Sequence, residues 1–210
     1  MEATIHRATA VRRGVRLELI TVAWMAAEGV LVIGAGIAVR SVLFTAFGFD
    51  SVIELLSGVV LLRRLSAEAR GANAESVDRL EHATVRISAL LLILLCVYVV
   101  AASIAGLATQ LKAEGSALGI AVTGAALVVM PLLAFAKSRA NTLIASASLR
   151  ADITETVTCA YMAAVTLAGI ALSSILGAWW IQYLASLALL LWLVPETREA
   201  LEASRGHRHD

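Results

Sequence analysis

The sequence predicts an all-α membrane protein with six transmembrane helices and both termini in the cytoplasm. Three observations lead to this prediction: the composition, a series of apolar runs of membrane length, and a one-sided distribution of Lys and Arg. Of the 210 residues, 60% are hydrophobic and 16% are charged, and the mean hydropathy is +0.84. Soluble domains are roughly 45–50% apolar and about 25% charged, so the composition indicates a membrane protein.

The first two predicted helices form an antiparallel pair. Residues 1–16 are polar and contain four arginines, and we expect them to be a cytoplasmic N-terminal segment. The apolar run at 17–39 is longer than the apolar core of a signal peptide and matches the ~20 residues that a helix needs to cross a bilayer. Only Arg40 separates it from the next run, at 41–62, so the second helix must turn back along the first.

Four more helices complete the predicted transmembrane domain, which spans residues 17–200. Their apolar runs lie at 87–109, at 116–136 and, for the last two helices together, at 156–195. The polar links between them lie at 63–86 and 137–150. A short cytoplasmic tail is expected at 201–210.

Glycine and proline positions predict where these helices break. Gly71 and Asn73 predict a break in the first polar link, which is otherwise partly helical. Pro131 predicts a kink or an early stop in helix four, and Pro195 predicts the end of helix six. Gly177 precedes a pair of tryptophans suited to the membrane interface, and it predicts the turn between helices five and six.

Basic residues give the predicted orientation. Fifteen of the 17 Lys and Arg residues lie in the N-terminal segment, in the two polar links and in the polar stretch from residue 196 to the end, and only Arg40 and Lys112 lie on the other side. Because cytoplasmic loops are enriched in Lys and Arg, we expect both termini in the cytoplasm of a multi-pass protein of the cell (inner or plasma) membrane. The chain has no basic stripe interleaved with aromatic residues, so no nucleic-acid partner is expected.

Two carboxylates stand out in this apolar background. Asp50 and Glu54 lie four residues apart in helix two and so share one helix face, one turn apart. A charge in the hydrocarbon core costs at least about 2.5 kcal/mol, so this face must point toward a partner helix, a cavity or an ion. Glu155 and Cys159 repeat the spacing on helix five. If helices two and five pack face to face, these four residues would form a metal-binding cage of three carboxylates and one thiolate.

Such a ligand set suits a divalent metal ion as a transported substrate. Zn²⁺ is the expected ion, with Cd²⁺, Co²⁺, Fe²⁺ and Mn²⁺ as alternatives. The same ligands bind protons, so metal and protons would compete, and this competition is a basis for exchange transport. Glu28 on helix one and Asp152 on helix five are candidates for carrying protons or for an auxiliary ligand.

Three of these residues also have structural interpretations. Glu28 would be a protonated side chain that is hydrogen-bonded to a neighbour. Asp152 would form a helix-end charge pair with Arg150. Cys159 would be a small buried hydrophobic residue.

The arrangement resembles the cation diffusion facilitator (CDF) family of divalent-metal/proton antiporters. Asp50 and Glu54 match the Asp-x-x-x-Asp signature that the family has on helix two, with Glu54 in place of the second Asp. On helix five, residues 150–152 (Arg-Ala-Asp) resemble the sequence before the family's His-x-x-x-Asp pair, which puts Glu155 at the His and Cys159 at the Asp.

The resemblance covers residues 17–200 and implies a cation-efflux transmembrane domain, proton-coupled efflux of a divalent metal and a homodimer. Residues 179–182 resemble the start of the family's last helix, with Gln182 where an Asp is common. The helix-five His is absent, and we expect a member that consists of the transmembrane domain without the family's cytoplasmic C-terminal domain.

Two other functions remain open. The altered helix-five pair and the expected lack of a soluble domain favour a non-transporting membrane subunit or a metal sensor derived from a transporter. An enzyme with Cys159 as nucleophile would need a base, and Glu155 is the candidate. Because an adjacent carboxylate disfavours the thiolate, we expect no enzymatic activity.

Overall fold

The chain forms a bundle of six helices. A computed structural model describes the backbone of residues 2–69 and 75–206 and the side chains of residues 9–67, 87, 89–146 and 149–202. The helices are α1 (Glu2–Ala38), α2 (Val42–Ala69), α3 (Glu75–Thr109), α4 (Ala117–Ile144), α5 (Ala147–Leu176) and α6 (Ile181–Gly206). No strand occurs within the described backbone, so the predicted all-α fold with six helices is confirmed.

Five of the six helices are long and apolar enough to cross a membrane, which makes the chain a multi-pass membrane protein. The candidate spans lie at Thr9–Ala38, Val42–Ala67, Ala89–Thr109, Ala117–Ile144 and Leu149–Leu176. α6 is more polar, because Gln182 lies near its start and Glu196 and Arg198 lie further along it. The predicted helices one to five therefore agree with candidate spans, whereas α6 is a helix of mixed character.

Several helices extend well beyond the apolar runs. α1 begins at Glu2, α3 begins at Glu75 and α6 ends at Gly206. A helix satisfies its backbone hydrogen bonds internally, so it can continue from a membrane into water, and hydropathy marks only the apolar part. The predicted break at Gly71 and Asn73 lies outside the described residues.

The two prolines do not end their helices. α4 continues past Pro131 and α6 continues past Pro195, each for more than two turns. The predicted early stop at Pro131 and the predicted end at Pro195 are therefore wrong. A proline removes one backbone donor, and a helix packed among other helices tolerates that loss. Lys137 and Glu196, which follow the prolines, consequently lie on helices rather than in polar segments.

The short connections follow from the local sequence. Gly177 ends α5 in the left-handed conformation (φ +62°), where its N–H donates to the Ser173 carbonyl, and the predicted turn between helices five and six is confirmed. Arg40 adopts a positive φ of 56° in the tight turn between α1 and α2. The hydroxyls of Ser116 and Ser146 accept backbone N–H bonds at the starts of α4 and α5, as N-cap residues do.

α2 lies at the centre of the bundle. It packs most extensively against α1 and also contacts α3, α5 and α6. Two glycines allow the close approach to α1: a Cβ on Gly36 would lie 2.7 Å from the Thr45 backbone nitrogen, and one on Gly48 would lie 2.9 Å from that of Ile33. Small residues at such contacts let membrane helices pack backbone to backbone. The polar face of α2 is thereby held among its neighbours.

Candidate cation site

The two carboxylates of α2 are buried inside the bundle. Asp50 is 1% exposed and Glu54 is 4% exposed, so the predicted face does point away from lipid. Among the described residues, Asp50 Oδ2 and both carboxylate oxygens of Glu54 have no hydrogen-bond partner. Buried polar atoms are nearly always paired, because an unpaired acceptor loses its hydration without compensation. These three oxygens are therefore available to a ligand.

Glu28 on α1 is also buried, but its oxygens have partners. It accepts hydrogen bonds from Trp24 Nε1, from Ser51 Oγ at 2.6 Å and from Cys159 Sγ at 3.6 Å. The expectation that Glu28 is hydrogen-bonded to neighbours is confirmed. Since the donors come from α1, α2 and α5, Glu28 joins these three helices at one point.

Cys159 is fully buried on α5, and its thiol donates a hydrogen bond to Glu28. In this arrangement the sulfur is a thiol, and it must release that proton before it can bind a metal ion. The Glu28 carboxylate that accepts the hydrogen bond is the nearest acceptor for it. The side chain therefore serves as a hydrogen-bond donor here, beyond the hydrophobic packing expected of a buried cysteine.

The four predicted ligands share one region without forming a closed cage. Glu155 is partly buried on α5, and it lies within electrostatic range of Asp50 and Glu54, as Cys159 does. The expected contact between helices two and five is present. In the part of the chain with described side chains, however, no three His, Cys, Asp or Glu residues are arranged to hold a metal ion. The ligand set stays a prediction.

Glu196 on α6 is a further acidic residue in this region, and the sequence interpretation missed it. It interacts electrostatically with Asp50, Glu54 and Glu155, and its Oε2 atom is buried without a hydrogen-bond partner among the described residues. A signal existed in the sequence. Leu189, Leu193 and Glu196 follow the i, i+4, i+7 spacing of one helix face, but Pro195 predicts that the helix ends before Glu196.

These side chains define the acidic cluster, which consists of Glu28, Asp50, Glu54, Glu155 and Glu196. The charged side chains that act on Asp50 and Glu54 in the described structure are all acidic. Carboxylates that interact electrostatically in a buried region repel one another when ionised, and burial strengthens that repulsion. The cluster therefore favours bound protons or a bound cation.

A second group of buried charges lies on α1, α4 and α5. The Lys137 ammonium contacts Asp152 Oδ2 at 2.6 Å and Glu18 Oε2 at 3.0 Å, and it also donates to Thr156 Oγ1 at 3.5 Å. We call Glu18, Lys137 and Asp152 the lysine cluster. Two expectations are corrected here: Asp152 pairs with Lys137 rather than with Arg150, and Lys137 lies buried on α4 rather than in a polar link. Neither partner is close in sequence, so helix packing alone brings them together.

No protein-family model matches this chain, and no curated protein is significantly similar to it in sequence. The resemblance to cation diffusion facilitators accordingly rests on the motif residues of helices two and five. The coordinates establish an all-α, multi-pass membrane protein that contains a buried acidic cluster.

Proposed function

We propose that this protein is a divalent metal cation transporter that exports its substrate across the cell membrane in exchange for protons. The observation that supports the proposal is the pair of buried carboxylates, Asp50 and Glu54, with three oxygens that lack hydrogen-bond partners among the described residues. Ionisable residues inside membrane helices mark ion pathways and proton relays in many transporters.

Charge is the first argument for a cation as substrate. The charged side chains that act on Asp50 and Glu54 are acidic, and each uncompensated charge in a membrane interior costs at least about 2.5 kcal/mol. Either protons or a metal ion can remove this cost. Because both bind the same oxygens, occupancy by one excludes the other, and exchange follows if the site opens alternately to the two sides.

The thiol of Cys159 is the argument for a transition-metal ion. Carboxylates alone suit Mg²⁺ or Mn²⁺, whereas a sulfur ligand favours Zn²⁺ or Cd²⁺. When a metal ion binds the sulfur, the S–H bond breaks, a metal–sulfur bond forms, and the proton passes to Glu28, which already accepts the hydrogen bond. Metal binding at this site would thus be coupled directly to proton movement. Glu155 completes the proposed ligands.

A nucleophilic role for Cys159 has weaker support. The side chain is fully buried, and the groups that act on it electrostatically are Glu28, Asp50 and Glu54. Reactive cysteines instead occupy electropositive and partly exposed positions, where the thiolate is stabilised. The environment of Cys159 therefore favours a ligand or hydrogen-bond donor over an enzyme nucleophile.

The test is flux through the purified protein in liposomes under a pH gradient, with Zn²⁺, Cd²⁺, Co²⁺, Fe²⁺ and Mn²⁺ as substrates. Asp50→Asn should reduce flux by about 100-fold or more, because it removes a proposed direct ligand. Losing a residue that only hydrogen-bonds to a metal ligand already lowers affinity or activity by about 10- to 100-fold. Glu114→Gln is the matched control, since Glu114 is exposed and lies outside the acidic cluster.

Three outcomes discriminate between the functions. Flux that is lost in Asp50→Asn and retained in Glu114→Gln supports the transporter. Equal flux in both variants excludes Asp50 as part of the pathway. Metal binding without flux, in folded wild-type protein, indicates the metal sensor or the non-transporting subunit.

A further inference from the structure

One face of α1 is basic near its start and apolar further along. Arg12, Arg13 and Arg16 are all exposed and lie on the same side of the helix, because 3.6 residues complete one turn. Leu19 and Ile20 follow Arg12 and Arg13 by seven residues, so they continue this side, and they are 56% and 54% exposed. The exposed face of α1 therefore passes from guanidinium groups to apolar side chains within the first candidate span.

A cavity of about 440 Å³ borders the basic part of this face. The described residues that line it are Thr9, Arg12, Arg13 and Arg16. Cavities of roughly 300–1,000 Å³ are typical of sites for small ligands and for parts of larger ones. Because three cations border a single cavity and repel one another, its preferred occupant is an anion.

The protein itself does not neutralise these three arginines. Within the part of the chain that the structure describes, they form no ion pair, side-chain hydrogen bond or stacking contact. Other basic residues are engaged: Arg139 lies over the Phe135 ring at 4.8 Å, and Lys137 contacts two carboxylates. The guanidinium groups of α1 are therefore available to a ligand from outside the bundle.

Arginines beside a membrane helix are also expected from the positive-inside rule. That rule counts charges in a loop, and it requires neither a shared helix face nor a common cavity. On α1 the arginines have both, and Leu19 lies only about 4.5 Å along the helix axis from Arg16. A ligand with an anionic group and an apolar chain would contact both parts of this face at once.

We propose that this face of α1 binds an anionic phospholipid, with its phosphate at Arg12, Arg13 and Arg16 and its acyl chains along Leu19 and Ile20. Guanidinium groups suit a phosphate because they donate two parallel hydrogen bonds to its oxygens. Basic segments beside membrane helices are attracted to anionic lipids. The inference goes beyond the proposed function and does not depend on metal transport.

The experiment measures phosphatidylglycerol binding to the full chain in a neutral detergent by native mass spectrometry. The double variant Arg12→Gln/Arg16→Gln should raise Kd about 25-fold, because each arginine beside an anionic lipid is worth about fivefold. Arg150→Gln/Arg198→Gln is the matched control, since it removes the same charge from exposed positions on α5 and α6. It should change Kd by less than about twofold. Arg12→Lys/Arg16→Lys, which retains the charge, should recover part of the affinity.

Two further ligands identify the source of the bound phosphate. Phosphatidylcholine carries the same phosphate and similar acyl chains without a net charge, and it should bind at least about tenfold more weakly. Inorganic phosphate has no acyl chain and should not displace phosphatidylglycerol. Equal binding of the two lipids would overturn the preference for an anionic lipid. Displacement by inorganic phosphate would overturn the lipid assignment in favour of a soluble anion.

The variants then locate the site. Loss of binding in Arg12→Gln/Arg16→Gln, with normal binding in Arg150→Gln/Arg198→Gln, supports the site on α1. Equal losses in the two double variants would overturn it, because binding would then follow net charge alone. The absence of lipid selectivity in the wild-type protein would also overturn it, and that measurement requires no variant to fold.

Discussion

The lysine cluster and the acidic cluster are two buried charge groups that differ in how their carboxylates are neutralised. In the lysine cluster, the ammonium of Lys137 lies 2.6 Å from Asp152 and 3.0 Å from Glu18, so the protein supplies its own cation. In the acidic cluster, Asp50 and Glu54 have only acidic neighbours acting on them in the described structure. The lysine cluster has one basic side chain for its two carboxylates, whereas no basic side chain among the described residues acts on Asp50 or Glu54.

The comparison indicates which buried charges are structural and which are functional. A buried carboxylate that contacts a lysine has its charge offset by the protein itself, and the pair holds helices together. A carboxylate without such a partner needs a countercharge from solution, which can arrive and leave. We therefore assign a structural role to Glu18, Lys137 and Asp152, and the substrate-binding role proposed above for Asp50 and Glu54 depends on this difference.

Glu155 is the member of the acidic cluster that also interacts with the lysine cluster. Its electrostatic neighbours are Asp152, Lys137 and Glu18 of the lysine cluster and Glu196 of the acidic cluster. Its side chain is also less buried than those of Asp50 and Glu54. If the termini face the cytoplasm, Glu155 lies on the cytoplasmic side of Asp50, since α5 begins at that end. A cation that approaches from the cytoplasm would then meet Glu155 before Asp50.

The largest expected effect on stability comes from removing the buried ammonium of Lys137. Lys137→Met should lower the free energy of unfolding by about 3–5 kcal/mol, because it leaves two buried carboxylates without a partner. Lys112→Met is the matched control, since Lys112 is exposed, and it should have almost no effect. Denaturation of both variants in detergent micelles provides the measurement. Equal stability of the two variants would contradict the structural role assigned to the lysine cluster.

Removing a charge from the acidic cluster should not lower the free energy of unfolding, in contrast to the lysine cluster. Without metal, Asp50→Asn should be at least as stable as wild type, because it relieves repulsion rather than breaking an ion pair. With a bound ion at about 100 times its Kd, wild type should gain about 2.7 kcal/mol, and the variant should gain almost nothing. Melting curves with and without Cd²⁺ test both parts. A variant that is less stable than wild type in the absence of metal would contradict the comparison.

Hydropathy predicts much of the fold, but it does not predict which side chains pair with the buried charges. The six helices, the turn at Gly177 and the buried face of Asp50 and Glu54 all depend on local sequence, where apolar runs and turn residues are informative. Lys137 was assigned to a polar link because its neighbours in sequence are polar, and its burial depends on Glu18, a residue on another helix. Tertiary packing decides which side chains pair across helices, and the hydrophobic periodicity of a single segment carries no information about those pairs.

Glu196 was missed for a related reason. Pro195 predicts a helix end from the general cost of proline in helix interiors, and that end would leave Glu196 outside the last helix. That cost is smaller where neighbouring helices support the backbone. Glu155 and Cys159 on helix five do interact electrostatically with the carboxylates of α2, and their role as ligands stays a prediction.

The smallest expected effect concerns the link between the thiol and Glu28. Cys159→Ala removes one hydrogen-bond donor from a buried carboxylate that keeps its bonds from Trp24 and Ser51, so the cost in stability should be about 1 kcal/mol. Cys159→Ser keeps a donor and should cost less. Neither variant has a soft ligand, so both should lose Cd²⁺ affinity more than Mn²⁺ affinity. If the two variants bind Cd²⁺ and Mn²⁺ as wild type does, Cys159 is only a donor to Glu28, and the cation site consists of oxygen ligands alone.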